Sequence, residues 1–220
     1  MDTTKYKEIV DEIKDYGARL VAISKTKPVE DITILYNEGQ RIFGENKVQE
    51  LTGKTAQLPK DIQWHLVGHL QSNKVKQIAP FVSLIHSVDS LKLLTEINKQ
   101  AQVNNRIIDC LLQVFIADEE TKFGLDKTEL FALLSSPIFA QLKNVHICGL
   151  MGMATNTADE QKIANEFGGL QNLFIELKHT HFNNQPYFKE LSIGMSSDYK
   201  IALKCGATMI RVGSMLFGAR

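Results

Sequence analysis

Cysteine and proline are scarce in this sequence, and neither sign of charge is in excess. The 220 residues include three cysteines and five prolines, while 25 lysines and arginines balance 25 aspartates and glutamates to a formal net charge of zero. Without a basic surplus, the composition gives no reason to expect nucleic-acid binding. Three widely spaced cysteines form neither a disulfide framework nor a CxxC metal pattern. They fit a reducing compartment, in which each is a small buried apolar residue.

Long hydrophobic runs are also missing. No apolar stretch approaches the length needed to cross a membrane, and the N-terminus has no apolar signal-peptide core. Tyr6, Ile9, Ile13 and Tyr16 instead recur at helical spacing, which predicts an amphipathic first helix. We therefore expect a cytoplasmic protein that binds neither membrane nor nucleic acid.

The sequence does contain a regular alternation of apolar, strand-like runs with helical stretches. Strands that are apolar throughout are typical of a parallel sheet covered by helices. A count of eight favours a closed (β/α)8 TIM barrel over an open doubly wound sheet. We predict an α/β fold of this kind, forming one domain over residues 1–220, with an extra N-terminal helix. The eight runs are RLVAIS, QRIFGE, IQWHLVG, FVSLIHSV, IIDCLLQVFI, VHICGLMGM, KELSIG and TMIRVGSMLFG.

In such a barrel the ligand site lies at the carboxyl ends of the strands, and the loops after strands seven and eight often hold a phosphate. Ser196 and Ser197 supply hydroxyls at a predicted helix N-terminus, which favours an anion. Gly213 permits close approach of the backbone, Ser214 adds a hydroxyl, and Arg211 offers charge-assisted hydrogen bonds. The pattern leaves two interpretations open: a phosphate cup, or a helix cap beside a packed strand end.

The stretch LVAISKTKP places two lysines on the same rim, at the end of the first strand. A lysine held in a pocket can condense with an aldehyde to form a Schiff base. An amine facing a phosphate cup suits pyridoxal 5′-phosphate (PLP). Lys25 follows the apolar run more closely, whereas Lys27 precedes Pro28, which biases it towards the loop. Asn46, after the second strand, and His65, within the third, are further candidate cofactor contacts.

Other motifs carry less weight. TGKT, at Thr52–Thr55, lacks both the upstream glycine and the preceding strand of a phosphate-binding loop. His65 and His69 form HxxxH on a predicted strand without the glutamate of a zinc hydrolase, so we predict no metal site. Neither GxSxG nor GxGxxG occurs, which leaves a serine hydrolase or a dinucleotide-binding protein without support. A phosphosugar enzyme with Lys25 as its Schiff-base residue is a minor alternative.

Taken together, the motifs resemble those of one family, the pyridoxal phosphate homeostasis proteins, also called the YggS or proline synthase co-transcribed family. The resemblance covers nearly the whole chain and implies a barrel similar to the N-terminal domain of alanine racemase. It implies PLP held as an internal aldimine on Lys25, with its phosphate near Ser196, Arg211, Gly213 and Ser214. The matching segments are AISKTKP, RIFGENKVQE, WHLVGHLQSNK, IHSVDS, KFGL, CGLMGM, LSIGMSSD and IRVGSMLFGAR.

The resemblance implies a binding protein more readily than a catalyst. It points to a role in intracellular PLP (vitamin B6) homeostasis without turnover, with PLP-dependent apoenzymes as potential partners and a monomeric state. The alternative is a PLP-dependent amino-acid enzyme such as a weak racemase. That reaction needs a second acid/base, which alanine racemase takes from a further domain, and only Tyr199 lies near the predicted rim. The family's usual tyrosine after GEN is Lys47 here, and the roles of Lys47 and Lys122 stay open.

Overall fold

The computed structural model describes residues 2–118 and 123–218, so Lys122 lies outside the described residues. Within these ranges, eight parallel strands close into a barrel in chain order, each pairing with the next and β8 pairing with β1. The predicted (β/α)8 barrel is therefore confirmed. The strands are β1 (Arg19–Ile23), β2 (Ile42–Glu45), β3 (Gln63–Leu66), β4 (Leu84–Val88), β5 (Ile108–Gln113), β6 (Val145–Met151), β7 (Glu190–Ser192) and β8 (Met209–Val212).

Helices alternate with the strands, and four of those described begin at a residue whose side chain caps the first turn. Ser90 caps α5 by accepting the Leu93 N–H, and Asp126 forms a reciprocal capping box with Glu129 at the start of α6. Short 3-10 turns cover Ser72–Lys74 and Phe139–Gln141. The helices are α1 (Thr3–Lys14), α2 (Val29–Asn37), α3 (Val48–Thr55), α4 (Val75–Ile78), α5 (Leu91–Val103), α6 (Lys127–Leu134), α7 (Glu160–Thr180), α8 (Tyr199–Lys204) and α9 (Ser214–Phe217).

The predicted N-terminal helix, α1, closes the outer layer between β8 and β1. On one side, the Tyr199 hydroxyl of α8 donates to Glu12 at 2.8 Å; on the other, Lys7 pairs with Glu38 beyond the end of α2 at 2.8 Å. The helix that follows β8 spans only four residues, so it is too short to cover this seam. Tyr6, Ile9 and Ile13 form the buried face of α1, as their spacing predicts. Tyr16, predicted on the same face, is exposed instead, because α1 ends at Lys14 and the chain turns there.

The barrel interior contains both an apolar cluster and buried polar side chains. An apolar cluster made only of strand residues contains Val21, Ile23 and Leu84 among others, and we infer that it fills the inside of the barrel. Polar side chains including His65, His86 and Arg211 are also buried. Because buried polar groups need partners, this part of the interior is organised by hydrogen bonds.

Two element boundaries differ from those predicted around the seventh and eighth strands. Helix α8 begins at Tyr199, and Ser196 and Ser197 lie in the turn before it, because Asp198 accepts the Met195 N–H and closes that turn. Strand β8 ends at Val212 instead of continuing to Gly218. The carbonyl of Gly213 accepts the N–H groups of the third and fourth residues after it, so the chain turns directly into α9.

Candidate ligand-binding site

A cavity of about 580 Å³ opens at the carboxyl ends of the strands. Its size is in the range of small-molecule sites, and its position is the one at which (β/α)8 barrels bind ligands. The loops after β1, β2, β3, β7 and β8 all contribute to its wall. Of the predicted site residues, the structure brings six to this cavity: Lys25, Asn46, Ser196, Arg211, Gly213 and Ser214.

The two lysines of the first loop both line the cavity, but their surroundings differ. Lys27 donates its amine to the carbonyl of Phe217, at the end of α9, at 2.8 Å. This bond ties Lys27 to the end of the helix that follows β8, the strand that pairs with β1. Lys25, two residues earlier and half-buried, is the amine that directly follows β1 and Ser24. Both lysines line the cavity, and Lys25 as the reactive amine stays a prediction.

Facing this loop is a cradle of backbone and hydroxyl groups. The Gly213 N–H points to the Ser196 hydroxyl at 3.4 Å, which joins the loop after β7 to the loop after β8. A side chain at Gly213 would place its Cβ 3.1 Å from the carbonyl of Ile23, so glycine keeps this approach open. The first N–H groups of α9, beginning at Ser214, have no intrahelical acceptor. Donors of this kind suit an anionic group.

Arg211 lies deeper than the sequence suggested. Its guanidinium is buried and donates to the carbonyl and hydroxyl of Ser192, at 2.7 and 2.6 Å, and to the carbonyl of Gly152 at 2.9 Å. Burial lowers its pKa to about 10, which leaves it charged at neutral pH. Since three of its five N–H groups are used within the barrel, we place Arg211 on the cavity wall as a fixed positive charge. Ser196, Gly213 and Ser214 line the same cavity.

His65 is not part of the cavity wall. It is buried, and its Nδ1 lies 2.9 Å from Nε2 of His86, whose Nδ1 lies 2.9 Å from the Ser192 hydroxyl. A hydrogen-bonded chain thus runs from His65 through His86 and Ser192 to Arg211. We assign His65 a supporting position behind the cavity.

The buried pair of His65 and His86 makes the free energy of unfolding fall at acid pH. Burial lowers the pKa of His65 to about 3 and that of His86 well below 6.5. In the unfolded chain the two histidines therefore become protonated near pH 6.5, whereas in the folded chain they stay neutral at that pH. The stability contributed by these neutral rings is present above that pH and lost as the pH falls towards the folded values.

We expect urea unfolding to show this loss between pH 7 and pH 5, with a limiting slope of about 1.4 kcal/mol per pH unit for each histidine. His65→Gln should reduce the slope, because it removes one titrating ring while keeping a polar partner for His86. Equal slopes in the two proteins would contradict this account.

Some residues of the site had a weaker signal in the sequence. Gln113 ends β5 and Met195 follows β7, so position at a strand end could have identified both as cavity residues. Gly68 allows the chain after β3 to pass the loop after β2, since a Cβ at this position would collide with the Asn46 carbonyl. Nothing short of the tertiary structure reveals that contact.

Two negative observations apply to residues 2–118 and 123–218. None of the helices there is both long enough and apolar enough to cross a membrane. The same ranges contain no group of three or more His, Cys, Asp or Glu side chains placed to hold a metal ion.

The fold and rim define a (β/α)8 barrel built to hold a small anionic ligand beside an amine. The model of the family "Alanine racemase, N-terminal domain" matches residues 3–220. A pyridoxal phosphate homeostasis protein of Synechocystis sp. is 39% identical over 222 residues, covering 98% of this chain and 97% of the relative. Another, of Aquifex aeolicus, is 39% identical over 204 residues, covering 92% and 87%. The chain belongs to the alanine racemase N-terminal domain family and, within it, to the pyridoxal phosphate homeostasis proteins.

Solved structures agree with this membership. PipY of Synechococcus elongatus, solved without PLP, has a TM-score of 0.87 and 38% identity over 96% of this chain and 99% of PipY. The PipY structure with PLP bound has a TM-score of 0.83 and 39% identity, covering 92% and 93%. Alanine racemase of Bartonella henselae is similar in fold alone, with a TM-score of 0.72 and 18% identity over 98% of this chain and 57% of that enzyme.

Proposed function

We propose that this chain binds PLP in the rim cavity and serves PLP homeostasis in the cell. The observation that carries the proposal is the arrangement of the cavity, which is lined by Lys25 from the loop after β1 and by the cradle at Ser196, Gly213 and Ser214 from the loops after β7 and β8. The names of its relatives, and the PipY structure with PLP bound, support the same ligand. The donor set suits a compound that carries both an aldehyde and a phosphate.

Each group has a role that follows from its position. When bound, PLP supplies an aldehyde, with which an amine condenses with loss of one water molecule. Lys25 provides that amine. Ser196, Gly213 and Ser214 accommodate the phosphate through hydroxyl and N–H donors. Asn46 and Arg211 line the cavity between these ends, and the chain from His65 to Ser192 keeps Arg211 in place.

We extend the proposal to a protein that holds and releases its cofactor, with PLP-dependent apoenzymes as the receivers. We also propose that it acts as a monomer in the cytoplasm. Mixing the PLP-loaded protein with a PLP-dependent apoenzyme tests the transfer of the cofactor. Light scattering measures the molecular mass and so tests the monomeric state. Recovery of enzyme activity that requires the loaded protein supports the receivers, and a dimeric mass would contradict the monomer.

A direct test compares PLP with pyridoxal, which has the aldehyde but no phosphate. The wild-type protein should take up one equivalent of PLP and bind pyridoxal at least about tenfold more weakly, since each charged hydrogen bond to phosphate contributes about 1.5–3 kcal/mol. Absorbance titration measures both affinities. In the double variant Ser196→Ala with Ser214→Ala, the affinities for PLP and for pyridoxal should lie closer together than in wild type. Failure to take up PLP would overturn the proposed function.

A further inference from the structure

The two peptide groups on either side of Lys25 are both held by side chains from α3. The carbonyl of Ser24, which forms the peptide bond to Lys25, accepts the Lys54 amine at 2.8 Å. The N–H of Thr26, which follows Lys25, donates to the carboxylate of Glu50 at 2.6 Å. These two planes set the backbone torsions of Lys25 and therefore the direction in which its side chain leaves the chain. Glu50 and Lys54 are four residues apart on α3, so their side chains lie on the same face of that helix.

The loop at this point has a conformation that needs external support. Thr26 has a φ of +64°, in the left-handed region that β-branched residues rarely adopt. Non-glycine residues persist there when surrounding contacts over-determine the backbone, and such residues cluster at ligand sites. The Glu50 carboxylate supplies such a contact at the strained residue itself.

The support is itself anchored in the protein interior. Lys54 is buried, and its amine also contacts Glu45 at 2.7 Å and Glu50 at 3.5 Å. Glu45 is fully buried at the end of β2 and accepts the Ser24 hydroxyl at 2.6 Å. The TGKT segment thus contributes a lysine that points into the barrel wall. A network meant only to close α3 onto the sheet would not need to bond the backbone on both sides of one loop lysine.

Building on the proposed function, we propose that Glu50 and Lys54 are positioning residues for Lys25. They hold the peptide groups that flank it, so that its amine is presented to the cavity in one direction. Glu50 is the better residue to vary, because its side chain is 25% exposed whereas that of Lys54 is 10% exposed. Replacing Glu50 therefore perturbs the loop with less risk to folding.

The test compares Glu50→Ala with Glu50→Gln, which keeps an oxygen acceptor for the Thr26 N–H. A matched control is Glu166→Ala. Glu166 lies on α7, is likewise half-buried, and accepts the N–H of Thr155 in the loop after β6 at 2.7 Å. It supports a rim loop in the same way but lies away from Lys25 in the sequence and the barrel. Thermal unfolding of all three variants monitors folding.

Two readouts separate positioning from general stability. The first needs no cofactor: hydrogen exchange of the Thr26 N–H in the cofactor-free protein should accelerate about tenfold or more in Glu50→Ala and stay near wild type in Glu50→Gln. The second is the rate at which PLP becomes attached to Lys25, trapped by borohydride and measured by peptide mass. That rate should fall about tenfold in Glu50→Ala, recover within about twofold in Glu50→Gln, and be unchanged in Glu166→Ala.

Each other result would overturn the inference. Wild-type rates in Glu50→Ala would show that Lys25 needs no such support. If the rate of PLP attachment fell equally in Glu50→Gln, the hydrogen bond to Thr26 would not be the cause of the effect. If it fell equally in Glu166→Ala, the effect would be a general one of perturbing rim loops. A wild-type protein that attaches no PLP would overturn the proposed function as well, and the two failures are thereby distinguished.

Discussion

Replacing Lys25 by alanine is expected to abolish covalent attachment of PLP, whereas Lys27→Ala should leave attachment largely intact. A Schiff base needs a primary amine at the right place, and alanine at position 25 does not supply one. Lys27 lies on the same loop, but its amine donates to the Phe217 carbonyl. Borohydride reduction followed by peptide mass analysis measures the attached fraction, and loss of visible absorbance gives an independent readout.

The control for this prediction is the phosphate cradle, which neither substitution removes. Lys25→Ala should still bind PLP reversibly, with a lower affinity than wild type. The variant should bind PLP more tightly than it binds pyridoxal, because Ser196, Gly213 and Ser214 are unchanged. This residual binding separates a missing amine from a misfolded protein. Attachment that survives in Lys25→Ala and disappears in Lys27→Ala would reverse the assignment of the two lysines.

The second large effect is expected at Lys54. Lys54→Met should lower the free energy of unfolding by about 3–5 kcal/mol, because removing one partner of a buried ion pair leaves the other charge uncompensated. Glu45 is that partner: it is fully buried, and its Oε2 makes no hydrogen bond within the part of the chain that the structure describes. Urea unfolding measures the change. Lys7→Met, which breaks the exposed pair with Glu38, should change stability by about 0–1 kcal/mol.

The loss at Lys54 should depend on pH in a defined direction. Burial raises the pKa of Glu45 above 4.5, and the hydrogen bond from Lys54 opposes that rise. Without Lys54 the pKa of Glu45 rises further. A carboxyl whose folded pKa is raised contributes stability that is fully present below the unfolded pKa and lost as the pH rises through the folded pKa. The difference between Lys54→Met and wild type should therefore be larger at pH 7 than at pH 5.

A double variant completes this test. In Lys54→Met with Glu45→Leu, both charges are gone and the interior stays filled, so much of the lost stability should return. The additional pH dependence that Lys54→Met introduces should also disappear, because the titrating carboxyl of Glu45 is absent. A single Lys54→Met variant that unfolds like wild type at pH 7 would contradict the burial of an ion pair at this position.

The alternation of apolar runs and helical stretches was sufficient to predict the barrel. Parallel strands buried on both faces are mostly apolar, and eight of them close a sheet without edges, so the pattern and the fold have the same physical cause. The position of Lys25 at the rim cavity could be predicted in the same way, since the end of a strand in this fold is also the rim at which ligands bind. Ser196, Gly213 and Ser214 followed from the equivalent rule for the last two loops.

Elements that depend on partners distant in sequence were predicted less well. Pattern placed His65 on the third strand but gave no sign that it bonds His86, on the next strand, and so lies behind the cavity. Arg211 was correctly assigned to the last strand, yet its partners, Ser192 and Gly152, belong to two other elements. The TGKT lysine was set aside as an incomplete motif and is in fact buried against Glu45.

The sequence by itself determined which elements form, in what order, and which loops carry an amine and hydroxyls, because hydrophobic period and turn residues act over short distances. Only the tertiary structure decided which of those groups face one another. Closure of the barrel brings β8 beside β1 and sets α3 against the first loop, and these contacts join residues far apart in the chain. For that reason the place of Lys25 at the rim could be predicted from its segment, while the hydrogen bonds from Glu50 and Lys54 to the backbone around it could not.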